Sequence, residues 1–385
     1  MKLLYISEFI GRRSRGAAFA QRSGSLAHQL SVLGFTIKLA TTECSSRLQD
    51  EEGITCLLPN GHSHPSGGQI RRRLFNSLPI AQSFSRVLRR ERPDGLIISF
   101  HDPQFGLLLT LLGRLNGRPT IFDAQDSWLV LEHEHQGAIR NRLRRMLEHA
   151  AMRFSTHVTT VSPTLRNLLV HEYRLPPGKV HVVLNGANPV SISPSDQQDI
   201  DLIHLGSPRR YYNTLGLIDA IDRLRASKLT PSLVFLGCTD EPYVQSVKKK
   251  VVELRLGKQI RFEPPVPPEQ VPGWLARSKI GVHTLCDEPI YRCSIGVKLF
   301  EYLASGLPVA HMGPTNGDTA QLVRSTGCGV TASSVSEFAS ALKTILTDPA
   351  QLRALAAGAQ AVAGEHTWHV SAQAIATFLA DPTGT

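Results

Sequence analysis

Leu3-Leu4-Tyr5-Ile6, an amphipathic run from Ala17 to Leu33 closed by Gly34, and then Thr36-Ile37-Lys38-Leu39-Ala40 read as strand, helix and strand. That is a β-α-β unit at the very start of the chain. The alternation continues outward, with strands expected at 95–99, 120–122, 157–161 and 180–184 and helices at 77–92, 104–116, 138–153 and 163–172. Strands alternating with helices specify a parallel, doubly wound α/β sheet.

Pro189-Val190-Ser191-Ile192-Ser193-Pro194-Ser195-Asp196-Gln197-Gln198 is polar and proline-marked, as a linker is. The pattern then restarts, with strands at 202–205, 232–236, 260–262, 280–283 and at Val309. Helices are expected at 214–226, 243–254, 269–277 and 319–324, before a long C-terminal helical region. Two Rossmann-like halves follow from this: residues 1–188, a linker over 189–199, residues 200–365, and a last helix and tail over 366–385. Ligands in such folds sit at the carboxyl ends of strands, and two such edges facing each other would form a cleft.

The chain has 385 residues, 42% of them hydrophobic, enough for two cored domains. Its formal charge of +10 is unevenly placed: residues 1–190 hold 24 Lys and Arg against 14 Asp and Glu, whereas residues 191–385 hold 18 of each. Arg71-Arg72-Arg73, Arg86-Val87-Leu88-Arg89-Arg90 with Arg92, and Arg140 to Arg145 mix charge with apolar residues. Such segments suit an anionic membrane surface or a phosphorylated partner, although a solvated helix face is the commoner explanation. No nucleic-acid-binding signature accompanies them, so nucleic acid is not an expected partner. The six cysteines form no C-x-x-C pair and follow no signal peptide, which points to reduced thiols in a cytoplasmic protein without a structural metal. The longest apolar stretch, Phe105 to Leu112, is too short to span a bilayer, so any contact at the inner membrane face would be peripheral.

Chemistry concentrates in Gly296-Val297-Lys298-Leu299-Phe300-Glu301-Tyr302-Leu303-Ala304-Ser305-Gly306-Leu307-Pro308-Val309. A glycine opens a helix, and Gly306-Leu307-Pro308 closes it before an apolar strand. Lys298 and Glu301 share one helix face. First-turn amides and the positive helix end suit a diphosphate, Lys298 adds a charge, and Glu301 offers two acceptor oxygens to a vicinal diol such as ribose. Phosphates plus ribose mean a nucleotide; ordinary α/β packing with a solvated Glu301 is the alternative.

Several segments together resemble a known family, the retaining glycosyltransferases of family 4 with the GT-B fold. Pro119-Thr120-Ile121-Phe122-Asp123-Ala124-Gln125-Asp126-Ser127-Trp128 resembles its P-x-v-x-D-x-h-D-x-W turn, and Val158-Thr159-Thr160-Val161-Ser162-Pro163 its v-x-x-V-S-p. Val180 to Ala187 resembles V-x-V-i-x-N-G-v, and Lys298 to Pro308 resembles K-x-x-E-Y-x-A-x-G-x-P. Trp368 resembles the tryptophan that opens the family's final helix, which crosses back to the first domain. The resemblance implies an N-terminal acceptor domain and a C-terminal domain for a nucleotide-sugar donor. It places Gly16 in the glycine loop near the donor phosphates, His101 near the donor sugar, and Glu301 on the ribose. Gly296, Val297 and Lys298 belong to the same donor site, while Asp123 and Asp126 are candidates for orienting the acceptor hydroxyl; His101 and Asp126 are the catalytic candidates.

The chain departs from the family in two places. The first glutamate of E-x7-E falls at Cys293, with Asp287 or Glu288 as substitutes from another loop position. Gly206 is followed by Ser207 where an arginine is usual, and Asn213 stands at the lysine position; Arg209 and Arg210 can supply the charge instead. Gly317-Asp318-Thr319 opens a later helix, with Asp318 expected as its N-cap.

The implied reaction is a metal-independent, retaining transfer of a sugar to a glycan, a lipid-linked acceptor or a small phosphorylated acceptor. A donor phosphate oxygen takes the acceptor proton, and no cofactor is needed. The only D-x-D, Asp199-Ile200-Asp201, precedes a strand rather than following one, where a metal diphosphate would bind. A glycosidase lacks its carboxylate pair here. A sugar-nucleotide epimerase of the same fold and a catalytically silent nucleotide-sugar-binding or partner subunit stay open.

Overall fold

The computed structural model describes residues 1–8, 17–41, 54–57, 70–131, 137–188 and 198–380. Gly16 and most of the expected linker, 189–197, lie outside the described residues. The chain divides into two compact units, Met1–Leu184 with Trp368–Thr385, and Asn185–Thr367.

The first unit holds strands β1 (Lys2–Ser7), β2 (Thr36–Thr41), β3 (Ile54–Cys56), β4 (Gly95–Ser99), β5 (Thr120–Ala124), β6 (His157–Thr160) and β7 (Val180–Val182). Its helices are α1 (Ala17–Val32), α2 (Ile70–Glu91), α3 (Pro103–Leu115), α4 (Ala138–Phe154) and α5 (Pro163–Glu172). The strands lie parallel in the order β3-β2-β1-β4-β5-β6-β7. β1 and β4 are buried on both faces, which is why they read as continuous apolar runs.

The second unit holds β8 (Ile200–Leu205), β9 (Leu233–Leu236), β10 (Ile260–Glu263), β11 (Ser278–Thr284), β12 (Val309–Met312) and β13 (Gly329–Ala332). Its helices are α6 (Thr214–Leu224), α7 (Pro242–Glu253), α8 (Val271–Ala276), α9 (Pro289–Arg292), α10 (Val297–Ala304), α11 (Asp318–Thr326), α12 (Val335–Thr347) and α13 (Pro349–Ala363). The parallel order is β10-β9-β8-β11-β12-β13. Leu202, Phe235, Ile280, Val282 and Ala310 join Leu217, Ile221, Phe338 and Leu342 in its core.

The last helix, α14 (Trp368–Ala380), returns to the first unit and packs on α1. Trp368 is 1% exposed there, and Ser371 Oγ donates to Leu184 O at 2.8 Å. The expected return of the final helix is therefore present.

Some elements differ from their expected extents. The expected strand 180–184 ends at Val182, and 269–277 is a 3-10 turn at Pro268–Gln270 followed by the short α8. α2 begins at Ile70 and contains Pro79. β3 and β13, three and four residues long, carry too little pattern to be read from sequence.

Candidate active site

In each sheet the strand order reverses between two neighbours, β1 and β4 in the first and β8 and β11 in the second. The carboxyl ends at such a reversal are where doubly wound sheets present a crevice.

In the first unit, Glu8 directly follows β1. Its Oε2 accepts the amides of His101 and Asp102, each at 3.1 Å, and so fixes the turn that leaves β4. Asp102 then caps α3, accepting from Gln104 N at 3.0 Å, with Pro103 in the first turn. This turn aims His101 across to the loop after β5, where its Nδ1 lies 3.2 Å from Asp126 Oδ1. Burial opposes charge on the imidazole, but Asp126, then Glu8 and Asp102, outweigh it and raise His101 to about 9. At neutral pH His101 is thus a cation, an N–H donor rather than a base.

The Asp126 loop is held from beneath by α4. Glu148, 5% exposed, accepts from Ser127 Oγ at 2.7 Å, from the Trp128 amide at 3.2 Å and from Tyr173 OH at 2.5 Å. Arg144 lies 4.2 Å over the Trp128 ring, and Trp128 Nε1 donates to His101 O at 3.0 Å. Burial pushes Glu148 up to about 7 despite these donors.

Asp123 is placed differently from the acceptor role expected of it. It is 2% exposed and gripped by the fully buried Arg22, with Nη2 to Oδ1 at 2.8 Å and Nε to Oδ2 at 3.0 Å. Thr159 Oγ1 donates at 2.8 Å and Ser99 Oγ at 3.3 Å. With both oxygens committed inside the sheet, Asp123 anchors α1, β4, β5 and β6 and is not presented to a ligand.

In the second unit, Gly206 directly follows β8 at φ +92°, a conformation that favours glycine. A Cβ placed there would come 4.0 Å from Lys298 Nζ. Lys298 is 8% exposed; its ammonium is 3.3 Å from His204 Nε2 and 3.4 Å from the centre of the Tyr212 ring. His204 Nδ1 sits 3.2 Å from Gly206 O, so this nitrogen carries the proton and Nε2 accepts from the lysine. Burial drives Lys298 well below its ordinary value, with Glu301 acting in the opposite direction.

Gly296 stands at the N-cap of α10 and no side chain caps this end. The helix is seated by Tyr302, whose hydroxyl accepts from Leu205 N at 2.9 Å and lies 3.2 Å from Val282 O and 3.3 Å from Ile203 O. Gly281 makes room for that ring: a Cβ there would stand 2.5 Å from Tyr302 Cγ. Beneath the N-terminus, His283 and His311 face each other with Nδ1 atoms 3.2 Å apart, and burial keeps both neutral.

Arg209 pairs with Glu241. Arg210 lies 5.4 Å over the Tyr243 ring and has no carboxylate partner among the described residues. Cys293 is 7% exposed, and burial followed by Asp318 pushes its thiol up to about 11, so it is neutral and offers no anionic acceptor. Asp287 is exposed and paired with Arg292 at 2.9 Å. Asp318 lies inside the first turn of α11, and Gly317, not Asp318, is the N-cap.

Lys298 and Gly206 thus meet at the switch edge of the second sheet, Glu301 lies one turn along α10, and His101 meets Asp126 at the switch edge of the first. A family model described as Glycosyltransferase Family 4 matches residues 22–190, and one described as Glycosyl transferases group 1 matches residues 199–348. The chain is a GT-B glycosyltransferase. Among solved structures, this glycosyltransferase is similar to sucrose-phosphate synthase from Thermosynechococcus elongatus, with a TM-score of 0.75 and 16% identity over 99% of this chain and 98% of that one. It is similar to HepE from Anabaena in complex with UDP, with a TM-score of 0.75 and 17% identity over 99% and 100% of the two chains. A glycosyltransferase from Rickettsia africae gives a TM-score of 0.72 at 13% identity over 99% and 98%. At these identities the likeness is one of fold. No curated protein sequence matches the chain.

Sequence reasoning missed Glu8, Arg22, His204, Tyr212 and Glu148 in this glycosyltransferase. One signal was available: Arg22 is in helical register with Leu26 and Leu30, both fully buried, so it falls on the inward face of α1.

Proposed function

We propose that the protein transfers a sugar from a nucleotide-diphosphate donor to an acceptor hydroxyl with retention of anomeric configuration and without a divalent metal. The observation that carries this reading is the meeting of Gly206, Lys298 and the uncapped start of α10 on the switch edge of the second sheet. Helix amides and a glycine turn accept a diphosphate, and Glu301 accepts the hydroxyls of its ribose. An arriving diphosphate favours the ammonium form of Lys298, which balances the charge released as the glycosidic bond to phosphate breaks. Arg210 is the better placed of the two arginines to add charge, because Arg209 is held by Glu241.

In this reading the first unit serves the acceptor, with His101 donating an N–H and Asp126 orienting it. The leaving phosphate, not a protein base, takes the acceptor proton, which agrees with a His101 that is already protonated. Asp199 and Asp201 are engaged by Arg277 and Lys279, each at 2.8 Å, at the start of β8. That engagement supports a metal-free donor site, and activity undiminished by EDTA is the expected result.

HepE binds UDP and UDP-glucose, which makes uridine donors the first to try. Thermal-shift screening against UDP-, GDP-, ADP- and dTDP-sugars should single out one base. Glu301→Ala should then weaken that nucleotide about 10–100-fold by calorimetry, the loss of a charge-assisted contact of about 1.5–3 kcal/mol. Unchanged affinity would remove the ribose assignment. The neutral thiol at Cys293 favours one alternative, a subunit that binds the donor without turning it over; tight donor binding with no product from any acceptor would select it.

A further inference from the structure

The exposed apolar side chains of the first unit are concentrated on α4 and its surroundings. Ile139, Leu143 and Met146 are 87%, 50% and 61% exposed; Phe154 at the end of α4 and Leu115 at the end of α3 are exposed as well. The spacing 139, 142, 143, 146, 153 keeps to one helix face. Ile139, Arg142, Leu143, Met146 and Arg153 therefore form a single row roughly 20 Å long, at about 1.5 Å per residue. The opposite face of α4 is the buried one, with Arg144, Glu148, Ala151 and Met152.

The row runs into a pocket of about 280 Å³ lined by Arg114, Arg153, Phe154, Leu175, Pro176 and Lys179. Lys179 Nζ donates to Arg153 O at 2.7 Å and Arg114 Nη1 to Phe154 O at 3.4 Å, which draws the cations together around an apolar wall. Among the described residues no carboxylate pairs with Arg114, Arg142, Arg153 or Lys179. Burial, then the nearby Arg114 and Arg153, lower Lys179 to about 8, and an anion seated beside it would favour its charged form. The pocket lies where α3 and α4 end, beside the starts of β5 and β6, at the opposite edge of the sheet from His101 and Asp126.

Aliphatic tips set between arginines fit poorly against water or a nucleic-acid backbone. They match a surface that is anionic at headgroup depth and apolar just below it. We propose that the protein docks on an anionic phospholipid surface through the outer face of α4, with Ile139, Leu143 and Met146 entering the acyl boundary and a headgroup phosphate seated among Arg114, Arg153 and Lys179. The inference does not depend on glycosyl transfer, and lipid binding without turnover would leave it standing.

The test uses the full chain and co-sedimentation with vesicles of phosphatidylcholine alone or mixed with phosphatidylglycerol. Binding should require the anionic lipid and fade as salt rises. A single basic residue at the surface is worth about 1 kcal/mol, or about fivefold in partitioning. Arg142→Glu/Arg153→Glu should therefore lose binding by at least tenfold, and Ile139→Ser/Leu143→Ser/Met146→Ser should lose it at low salt as well. All five positions are exposed, so unchanged circular dichroism and melting temperature are expected in both variants. Equal binding to neutral vesicles, no binding by the parent chain, or binding that survives both variants would overturn the proposal. So would light scattering that shows a dimer dissociated by the triple substitution, since the face would then belong to a second copy.

Discussion

Arg22→Met should destabilise the first unit without touching the donor site. Arg22 is fully buried and gives Asp123 two short N–H bonds, while Thr159 and Ser99 supply only hydroxyl donors. Removing the guanidinium leaves a carboxylate in the interior without its counter-charge, and breaking such a pair from one side costs about 3–5 kcal/mol. Leu184 O loses its Arg22 partner as well. With a urea dependence of about 2–3 kcal/mol per molar for a unit of this size, the midpoint should fall by roughly 1.5 M.

The assay is urea unfolding by tryptophan emission in a Trp274→Phe background, where Trp128 and Trp368, both buried in the first unit, report on it alone. Arg22→Met/Asp123→Leu is the control, because replacing both charges with apolar groups is often neutral or stabilising, and most of the loss should be recovered. A single substitution costing under about 1 kcal/mol, together with an Asp123→Asn variant that raises only the acceptor KM, would refute the reasoning. Asp123 would then face a ligand after all.

Glu148 lies at about 7 in the folded protein, above its unfolded value of 4.5, so the stability it confers is full below about 4.5 and is lost as pH rises through 7. That limb should amount to about 3 kcal/mol, and Glu148→Gln should flatten it in urea midpoints measured across the range. His311 behaves in the opposite sense: lowered from 6.5 to about 4, it supports the second unit above 6.5 and withdraws about 3 kcal/mol as pH falls through 4, a loss that His311→Leu should remove. Gly281→Ala drives a methyl into the Tyr302 ring and should cost about 1–3 kcal/mol while weakening donor binding, because that ring seats α10. Tyr302→Phe leaves Leu205 N unpaired and should cost a similar amount, read by the same denaturation.

The alternation of apolar runs and amphipathic stretches was enough to read the doubly wound architecture, because β1, β4 and β5 are buried on both faces and leave unbroken hydrophobic strings. That Lys298 and Glu301 share one helix was legible for a similar reason, since spacing on a helix is a local property. What sequence could not convey is depth. Asp123 and Asp126 look alike three residues apart, yet the pleat and the end of β5 bury the first against Arg22 and turn the second toward His101. Pairings that reach across the fold, such as Glu8 with the His101 amide or Lys298 with His204, join residues 93 and 94 positions apart and leave no trace in any local pattern.

The return of α14 to the first unit has a consequence for the order in which the protein is made. The second unit, Asn185–Thr367, is one continuous stretch and can close its core as soon as it leaves the ribosome. The first unit is begun earliest and finished last, since Trp368, Ala372 and Ile375 arrive only after every residue of the other unit. Until then the α1 surface that receives them stands uncovered. Nascent chains should accordingly need protection at their oldest end, and a chain stopped after Thr367 should fail in the unit that was synthesised first.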